Sequence, residues 1–289
     1  MQRKKMTKFA SPTKDSTFKL IFGQDRHKNL TIDFLNNFLG RTAGNLINEI
    51  SFMNQEQTPK NLLERKSILD IHCKDQTGNQ FIIEMQAGRE NFFIARALYY
   101  AACLLSRQLD KEDLFTDLKQ VIVIGILDYT LLDTDNQAIS HHLITDINNG
   151  KQSTNLIELH FIELTKFNKS EDDLETQTDK WIFFLKNAHK LSQIPDSCQN
   201  SSQIIEAFHL MEQNSWSPTQ IAQYESDMMN FKKNITHDYV LLEEGRQEGL
   251  EQTAINMLKE NLPIDVIARI TGLSQDRIVV LQKNVKNIE

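Results

Sequence analysis

The sequence is poor in cysteine and lacks both a long hydrophobic run and an excess of positive charge. Its three cysteines, Cys73, Cys103 and Cys198, are widely separated and form no CxxC pair or Cys/His cluster. We therefore interpret them as reduced thiols, not as metal ligands or disulfides. No stretch approaches the roughly 18 uninterrupted apolar residues of a transmembrane helix, and the basic N-terminus is not followed by the hydrophobic core of a signal peptide. These features predict a cytoplasmic protein with no membrane partner.

Several motifs of well-known enzyme classes are also missing. The chain has no GxSxG, P-loop or GxGxxG sequence, which gives little support to a hydrolase triad or a nucleotide site. Its net charge of −7 differs from the basic charge typical of proteins that coat nucleic acid. An enzyme that cuts DNA needs only a local basic cluster, and short basic runs occur at residues 3–8, at Arg65 with Lys66, and at Arg89 with Arg96.

The hydrophobic pattern predicts an α/β protein. A chain of 289 residues can form one large domain or one domain with appendages. The continuously apolar run Val121–Leu127 is typical of a central strand that is covered on both faces. Strand-like runs at 141–146 and 155–164, together with a hairpin at 67–86, predict a mixed central β-sheet of about five strands flanked by helices.

Helical patterns dominate the rest of the chain, at 15–22, 28–39 and 90–109 and then from residue 171 onward. We predict three parts: a sheet-containing domain at 1–170, a helical extension at 171–241 and an all-helical C-terminal segment at 242–289. In that segment, Gly245 and Gly249 are expected to interrupt a charged helix, and a turn at 271–274 joins two short helices in a helix-turn-helix-like unit. The alternative is a helical hairpin that packs on the domain or on a partner.

The candidate chemistry lies in the hairpin at 67–86. A polar turn centred on Thr77 sets a register in which Asp70 lies opposite Glu84, with Cβ atoms about 4.5 to 5.5 Å apart. The same register pairs the apolar residues on one face: Leu69 with Met85, Ile71 with Ile83, and Cys73 with Phe81. Two carboxylates this close repel each other unless a cation lies between them, and their oxygen atoms suit Mg²⁺ or Mn²⁺. The alternative is the solvent-facing side of an ordinary hairpin, since exposed acids are common.

Two further side chains have more than one interpretation. Asp15 stands at the start of the first helix, where it is either a site residue or an acid that interacts with the free N–H groups of the helix. Arg96 interrupts the apolar surface of the helix at 90–109. It either points toward the acidic face of the hairpin or extends to solvent.

A set of short motifs resembles a known family in order and spacing. The motifs are DSTFKLIFG at 15–23, KSILDI at 66–71, IEMQ at 83–86, RALYY at 96–100 and TGLS at 271–274. Together they resemble the Rpn-type recombination-promoting nucleases, also labelled transposases, within the PD-(D/E)xK nuclease superfamily. The resemblance implies a restriction-endonuclease-like core in the sheet-containing part of the chain.

The resemblance also assigns residues to a metal site. It implies that Asp70, Glu84 and the main-chain carbonyl of Met85 bind Mg²⁺, with Mn²⁺ as the alternative, and that Asp15 completes the catalytic group. The usual lysine of the superfamily falls at position 86, where this chain and its closer relatives have glutamine. Gln86 can orient water or phosphate only by hydrogen bonds, so the metal must contribute more of the catalysis.

The predicted function is that of a metal-dependent DNA endonuclease that hydrolyses phosphodiester bonds, linked to recombination or mobile elements. Lys66, Arg65 and Arg96 are the predicted DNA contacts, and the C-terminal helices are a candidate homodimer interface. The alternatives are a toxin-like nuclease of phage defence, a catalytically silent protein of the same fold that binds DNA or a partner, and a helical interaction protein whose sheet is only a scaffold.

Overall fold

The computed structural model describes residues 8–54, 56–57, 67–90, 92–110, 112–132 and 136–286. It divides into two compact units, Met1–Met228 and Met229–Glu289. The three-part division expected from the sequence stays a prediction. None of the helices in the described ranges combines the length and the apolar character that a bilayer span requires.

The described part of the chain contains both helices and strands. The helices are α1 (Asp15–Phe22), α2 (Lys28–Phe38), α3 (Phe93–Ser106), α4 (Gln177–Asn187), α5 (Ser202–Leu210), α6 (Pro218–Lys259), α7 (Ile264–Thr271) and α8 (Gln275–Lys286). The strands are β1 (Ile50–Phe52), β2 (Glu56–Gln57), β3 (Ser67–Ile68), β4 (Ile71–Asp75), β5 (Gln80–Gln86), β6 (Val121–Leu127), β7 (Ile139–Thr145) and β8 (Gln152–Glu163).

The main sheet is mixed and has six strands in the order β1-β4-β5-β6-β8-β7. Strands β5, β6 and β8 run parallel, while β1, β4 and β7 pair antiparallel with their neighbours. The predicted α/β class with helices flanking a mixed sheet is confirmed, with one strand more than the expected five because β1 joins the edge of the hairpin. Strands β2 and β3 form a separate two-stranded pair.

Both faces of the sheet are covered, and strand β6 shows this most clearly. All seven of its residues are buried, and they alternate between two apolar clusters because successive side chains point to opposite faces. Ile122, Ile124 and Ile126 join a cluster that includes apolar residues of α1, α2, α4 and α5. Val121 and Val123 join a second cluster with apolar residues of α3. The prediction of a strand covered on both faces is confirmed.

Gly125 allows α3 to lie close to the sheet. A Cβ atom added at this position would come within 2.6 Å of Phe93 on α3 and 3.0 Å of Phe161 on β8. Because real side chains do not pack that closely, only glycine fits here without displacement of the helix. Gly125 is also the partner of Glu84 in the parallel register between β5 and β6. The close contact therefore sets the distance between α3 and the polar end of the hairpin.

The hairpin has the predicted register, with one exception. Ile71 pairs with Ile83 and Cys73 with Phe81. The expected pair of Leu69 with Met85 is wrong: Leu69 packs in the cluster with α3, whereas Met85 packs against the cluster on the opposite face of the sheet. The physical reason is a bend at Asp70, where β3 has ended and β4 has not begun, so that side-chain alternation does not continue through it.

The second unit is helical, as predicted, but its first helix is not interrupted. Helix α6 continues through Gly245 and Gly249, so the expected break is wrong. A glycine costs only about 1 kcal/mol in a helix interior, which the neighbouring turns can offset. Helices α7 and α8 are separated by a short turn in which Gly272 adopts a left-handed conformation with φ of 73°, a conformation that favours glycine at a helix end.

Candidate active site

A network around Asp75 fixes the turn of the hairpin. Asp75 Oδ1 accepts hydrogen bonds from the main-chain N–H of Thr77 at 2.8 Å and from that of Asn79 at 3.0 Å. Between them, Gly78 has a φ of 97°, which side chains other than glycine rarely adopt. An aspartate at the start and a glycine within the turn explain why the sequence reverses here. The turn therefore sets the register on which the polar end of the hairpin depends.

Two hydrogen bonds from main-chain N–H groups hold Asp70 and Glu84 at the other end of the hairpin. The main-chain N–H of Asp70 donates to Glu84 Oε1 at 3.1 Å, and the main-chain N–H of Met85 donates to Asp70 Oδ2 at 2.8 Å. Glu84 is 4% exposed, and Asp70 is partly buried. The two acids predicted to face each other are therefore adjacent. The interpretation of this face as an ordinary solvent-exposed hairpin surface is wrong, because Glu84 lies on the side covered by α3.

The surroundings of Asp70 and Glu84 disfavour the state in which both carboxyl groups are ionised. Burial, together with the neighbouring charge of Asp70, raises the pKa of Glu84 to about 8. Burial also raises the pKa of Asp70, an effect opposed by the hydrogen bond from Met85 and increased by the charge of Asp15. Like charges and loss of hydration both disfavour the ionised forms. The pair therefore retains a proton near neutral pH unless a cation is present.

Asp15 lies within electrostatic reach of this pair but is bonded elsewhere. Its side chain is 57% exposed, and its Oδ1 forms an ion pair with Lys19 Nζ at 2.8 Å, one turn further along α1. The charge of Asp15 raises the pKa of Asp70, and that of Lys19 lowers it. Both are thus close enough to influence the carboxylate pair. The sequence motif contains Lys19, but nothing in the spacing had assigned it a role.

Gln86 and Arg96 form the other polar contact at this end of the sheet. Gln86 is the last residue of β5, and its Oε1 accepts a hydrogen bond from Arg96 Nη2 at 3.1 Å. Arg96 also forms an ion pair with Glu90 at 2.9 Å. Of the two interpretations of Arg96, the structure supports the one in which it points toward the acidic face. Glu90 was missed, because the loop before α3 gives no sequence signal that it returns to Arg96.

Two predicted DNA contacts, Lys66 and Arg65, lie outside the described residues. The structure brings together Asp70, Glu84, Gln86 and Arg96, with Asp15 nearby. No group of three or more His, Cys, Asp and Glu side chains in the described part of the chain is arranged to hold a metal ion. A metal at this place would rely on two carboxylates together with main-chain oxygen and water.

The donor set nevertheless fits a hard divalent cation. Asp70 and Glu84 supply two carboxylates, and Arg96 is the basic side chain that lowers the pKa of both. A divalent ion would offset the negative charge that burial and neighbouring acids make unfavourable at Asp70 and Glu84, and carboxylate oxygen is the ligand that Mg²⁺ and Mn²⁺ prefer.

A mixed sheet between helices, with an acidic residue at the bend before β4 beside a buried acid on β5, defines a nuclease-like α/β protein. The family model for the PD-(D/E)XK nuclease family transposase matches residues 12–240, and the chain belongs to this family. Comparison with curated proteins and with solved structures gave no match. The family predicted from the sequence motifs is confirmed, and it brings with it a nuclease-like function and DNA as the implied class of substrate.

Proposed function

We propose that this protein is a divalent-metal-dependent endonuclease that hydrolyses phosphodiester bonds of DNA at the carboxylate pair Asp70 and Glu84. The observation that carries the proposal is that main-chain N–H groups hold the two acids side by side, the Asp70 N–H on Glu84 and the Met85 N–H on Asp70. Burial raises the pKa of both acids at this place, and the charge of Asp70 raises that of Glu84 further. Such clusters of perturbed acids are characteristic of functional sites.

Asp70, Glu84 and the main-chain carbonyl of Met85 would hold Mg²⁺ or Mn²⁺. When bound, such an ion supplies an acidified water molecule and stabilises negative charge on the phosphate. The chain contributes orientation: the Met85 N–H fixes one oxygen of Asp70, and the Asp70 N–H fixes one oxygen of Glu84. Glu84 must release its proton before it can act as a ligand.

Asp15 and the basic residues have supporting roles in this proposal. Asp15 on α1 has Lys19 as its counter-ion, and the charges of both act on the pKa of Asp70. Lys66 and Arg65 are proposed contacts to the DNA backbone. A role in recombination or mobile elements, and a homodimer formed through the C-terminal helices, rest on the resemblance alone and stay predictions.

A plasmid-nicking assay tests the proposal. Wild-type protein is compared with Asp70→Asn and Glu84→Gln, which retain side-chain size while removing charge, and with the exposed surface control Glu171→Gln. The expected result is nicking with Mg²⁺ or Mn²⁺ by the wild type and the control, and loss of nicking in both site variants. Equal rates in all four proteins would indicate a contaminating nuclease and contradict the proposal.

The absence of a lysine at position 86 favours a second candidate, a catalytically silent protein that binds DNA through the same fold. It predicts no nicking in any metal, together with DNA binding that Asp70→Asn leaves unchanged. The same four proteins, measured for salt-dependent DNA binding, distinguish the two candidates.

A further inference from the structure

Both ends of the Gln86 amide are engaged within the protein. Its Oε1 accepts from Arg96 Nη2 at 3.1 Å, and its Nε2 donates to the main-chain oxygen of Gly88 at 3.2 Å. Its own main-chain oxygen accepts from the N–H of Asp128 at 3.0 Å. A side chain held in this way is poorly suited to orient a water molecule or a phosphate. Its hydrogen bond to Arg96 instead indicates a residue that orients another side chain.

Arg96 is the neighbour that Gln86 holds, and three other groups fix the same guanidinium. Glu90 pairs with Nη2 at 2.9 Å. The guanidinium carbon lies 5.4 Å from the ring centre of Phe93 and 5.7 Å from that of Tyr100, distances that favour attraction between a cation and an aromatic ring. A planar guanidinium that is already ordered loses little entropy when it binds a phosphate.

The position of Arg96 suits it to act on the substrate. Its side chain remains 29% exposed, so a ligand can reach it. Its partner Gln86 lies two residues from Glu84 on β5, so the two side chains point to the same face of the sheet and Arg96 reaches the side of the strand that carries the acidic pair. A fixed positive charge beside the metal-binding carboxylates is what the transfer of a phosphoryl group requires for stabilisation of the transition state.

We propose that Arg96, held in place by Gln86, supplies the positive charge that contacts the scissile phosphate, and that Gln86 is a positioning residue for Arg96. The inference rests on the proposed function. According to this proposal, Gln86 orients the catalytic arginine and does not itself contact water or phosphate.

An exchange of charge between the two positions tests this assignment. The proteins compared are wild type, Arg96→Gln, Gln86→Lys, and the double variant Gln86→Lys with Arg96→Gln. Removal of the arginine is expected to lower kcat by about 100-fold or more, as for other preorganised donors. Gln86→Lys alone is expected to be less active than wild type, because it removes the acceptor for Arg96 and adds a second cation beside it.

The double variant carries the decisive result. It moves the cation from position 96 to position 86, and we expect its kcat to exceed that of Arg96→Gln by at least about tenfold, which corresponds to 1.36 kcal/mol. If the cation at position 96 has no role at the phosphate, Arg96→Gln retains wild-type kcat and the double variant is no more active than Arg96→Gln. That outcome, in folded protein, would overturn the assignment. Arg26→Gln, an exposed arginine in the connection between α1 and α2, is the matched control.

Chemical rescue provides a readout that a purely structural role would not change. Activity of Arg96→Ala is measured with added guanidinium at non-denaturing concentration, and rescue is expected for guanidinium but not for ammonium. Full kcat in Arg96→Gln, or no rescue in Arg96→Ala, would overturn the inference while the proposed function stands. No metal-dependent cleavage by the wild type would overturn both.

Discussion

Replacement of Glu84 by glutamine removes the ionisation of a carboxyl group that the fold keeps protonated near neutral pH. The glutamine retains an oxygen that accepts the hydrogen bond from the Asp70 N–H. It also gains an NH₂ group that can donate a hydrogen bond to the Asp70 carboxylate. In metal-free protein, we therefore expect Glu84→Gln to be more stable than wild type, and the difference to depend on pH.

The magnitude follows from the pKa of Glu84, which is raised from 4.5 to about 8 in the folded protein. Below pH 4.5 both the folded and the unfolded chain hold the proton, so the group has no effect on stability. As pH rises, the unfolded chain loses the proton first, and the free energy of unfolding falls until the folded protein ionises as well. Above pH 8 the cost reaches about 5 kcal/mol, at 1.36 kcal/mol for each tenfold change in proton affinity.

Urea unfolding in the presence of EDTA measures this cost. Both tryptophans lie in the first unit, Trp181 fully buried and Trp216 packed against the same core cluster, so tryptophan fluorescence reports unfolding of this unit. The difference in free energy of unfolding between Glu84→Gln and wild type should be small at pH 4 and should grow steadily toward pH 9. The control Glu171→Gln should have the same free energy of unfolding as the wild type throughout. Added Mg²⁺ should raise the free energy of unfolding of the wild type but not of Glu84→Gln, because a ligand stabilises the folded state that binds it. A gap that is the same at pH 4 and pH 9 would refute the reasoning.

Three further predictions concern the elements that support the site. Gly125→Ala should lower the free energy of unfolding by about 1–3 kcal/mol, because its Cβ would overlap Phe93; a matched Gly44→Ala change in open space should have little effect by the same urea assay. Asp75→Ala should cost about 1–3 kcal/mol, since it leaves turn N–H groups without their acceptor, as calorimetry would show by a lowered Tm. The pKa of the buried Cys73 thiol is raised to about 12 by burial, so a thiol reagent at pH 8 should modify Cys103 in native protein and reach Cys73 only after unfolding; equal rates would contradict its burial.

The hairpin shows how much of the site could be predicted from the sequence. Alternating apolar residues and a turn with Asp75 and Gly78 determine a register, and the register places Asp70 opposite Glu84. These are local rules, and they hold where both strands are regular. The pairing of Leu69 with Met85 fails because a bend at Asp70 ends the alternation, and a bend depends on tertiary packing that the local pattern does not contain.

The contacts around Arg96 depend on structure distant in sequence. The helical pattern places Arg96 on α3, but the direction of its side chain depends on how closely α3 approaches the sheet, which Gly125 permits. The ion pair with Glu90 and the contact with Gln86 follow from that approach. Similarly, the continuity of α6 through its glycines reflects the balance between a small propensity cost and the stability of the flanking turns. Residue spacing reveals neither the approach of α3 to the sheet nor the energetic balance within α6.

The central claim is that Asp70 and Glu84 form one divalent metal site that supports cleavage of DNA. Calorimetric titration of Mn²⁺ into wild type and into the double variant Asp70→Asn with Glu84→Gln tests it most directly. We expect one specific ion per wild-type chain, lost in the double variant, with the rate of plasmid nicking reaching its maximum over the same range of Mn²⁺ concentration. Equal Mn²⁺ binding by the two folded proteins would contradict the account.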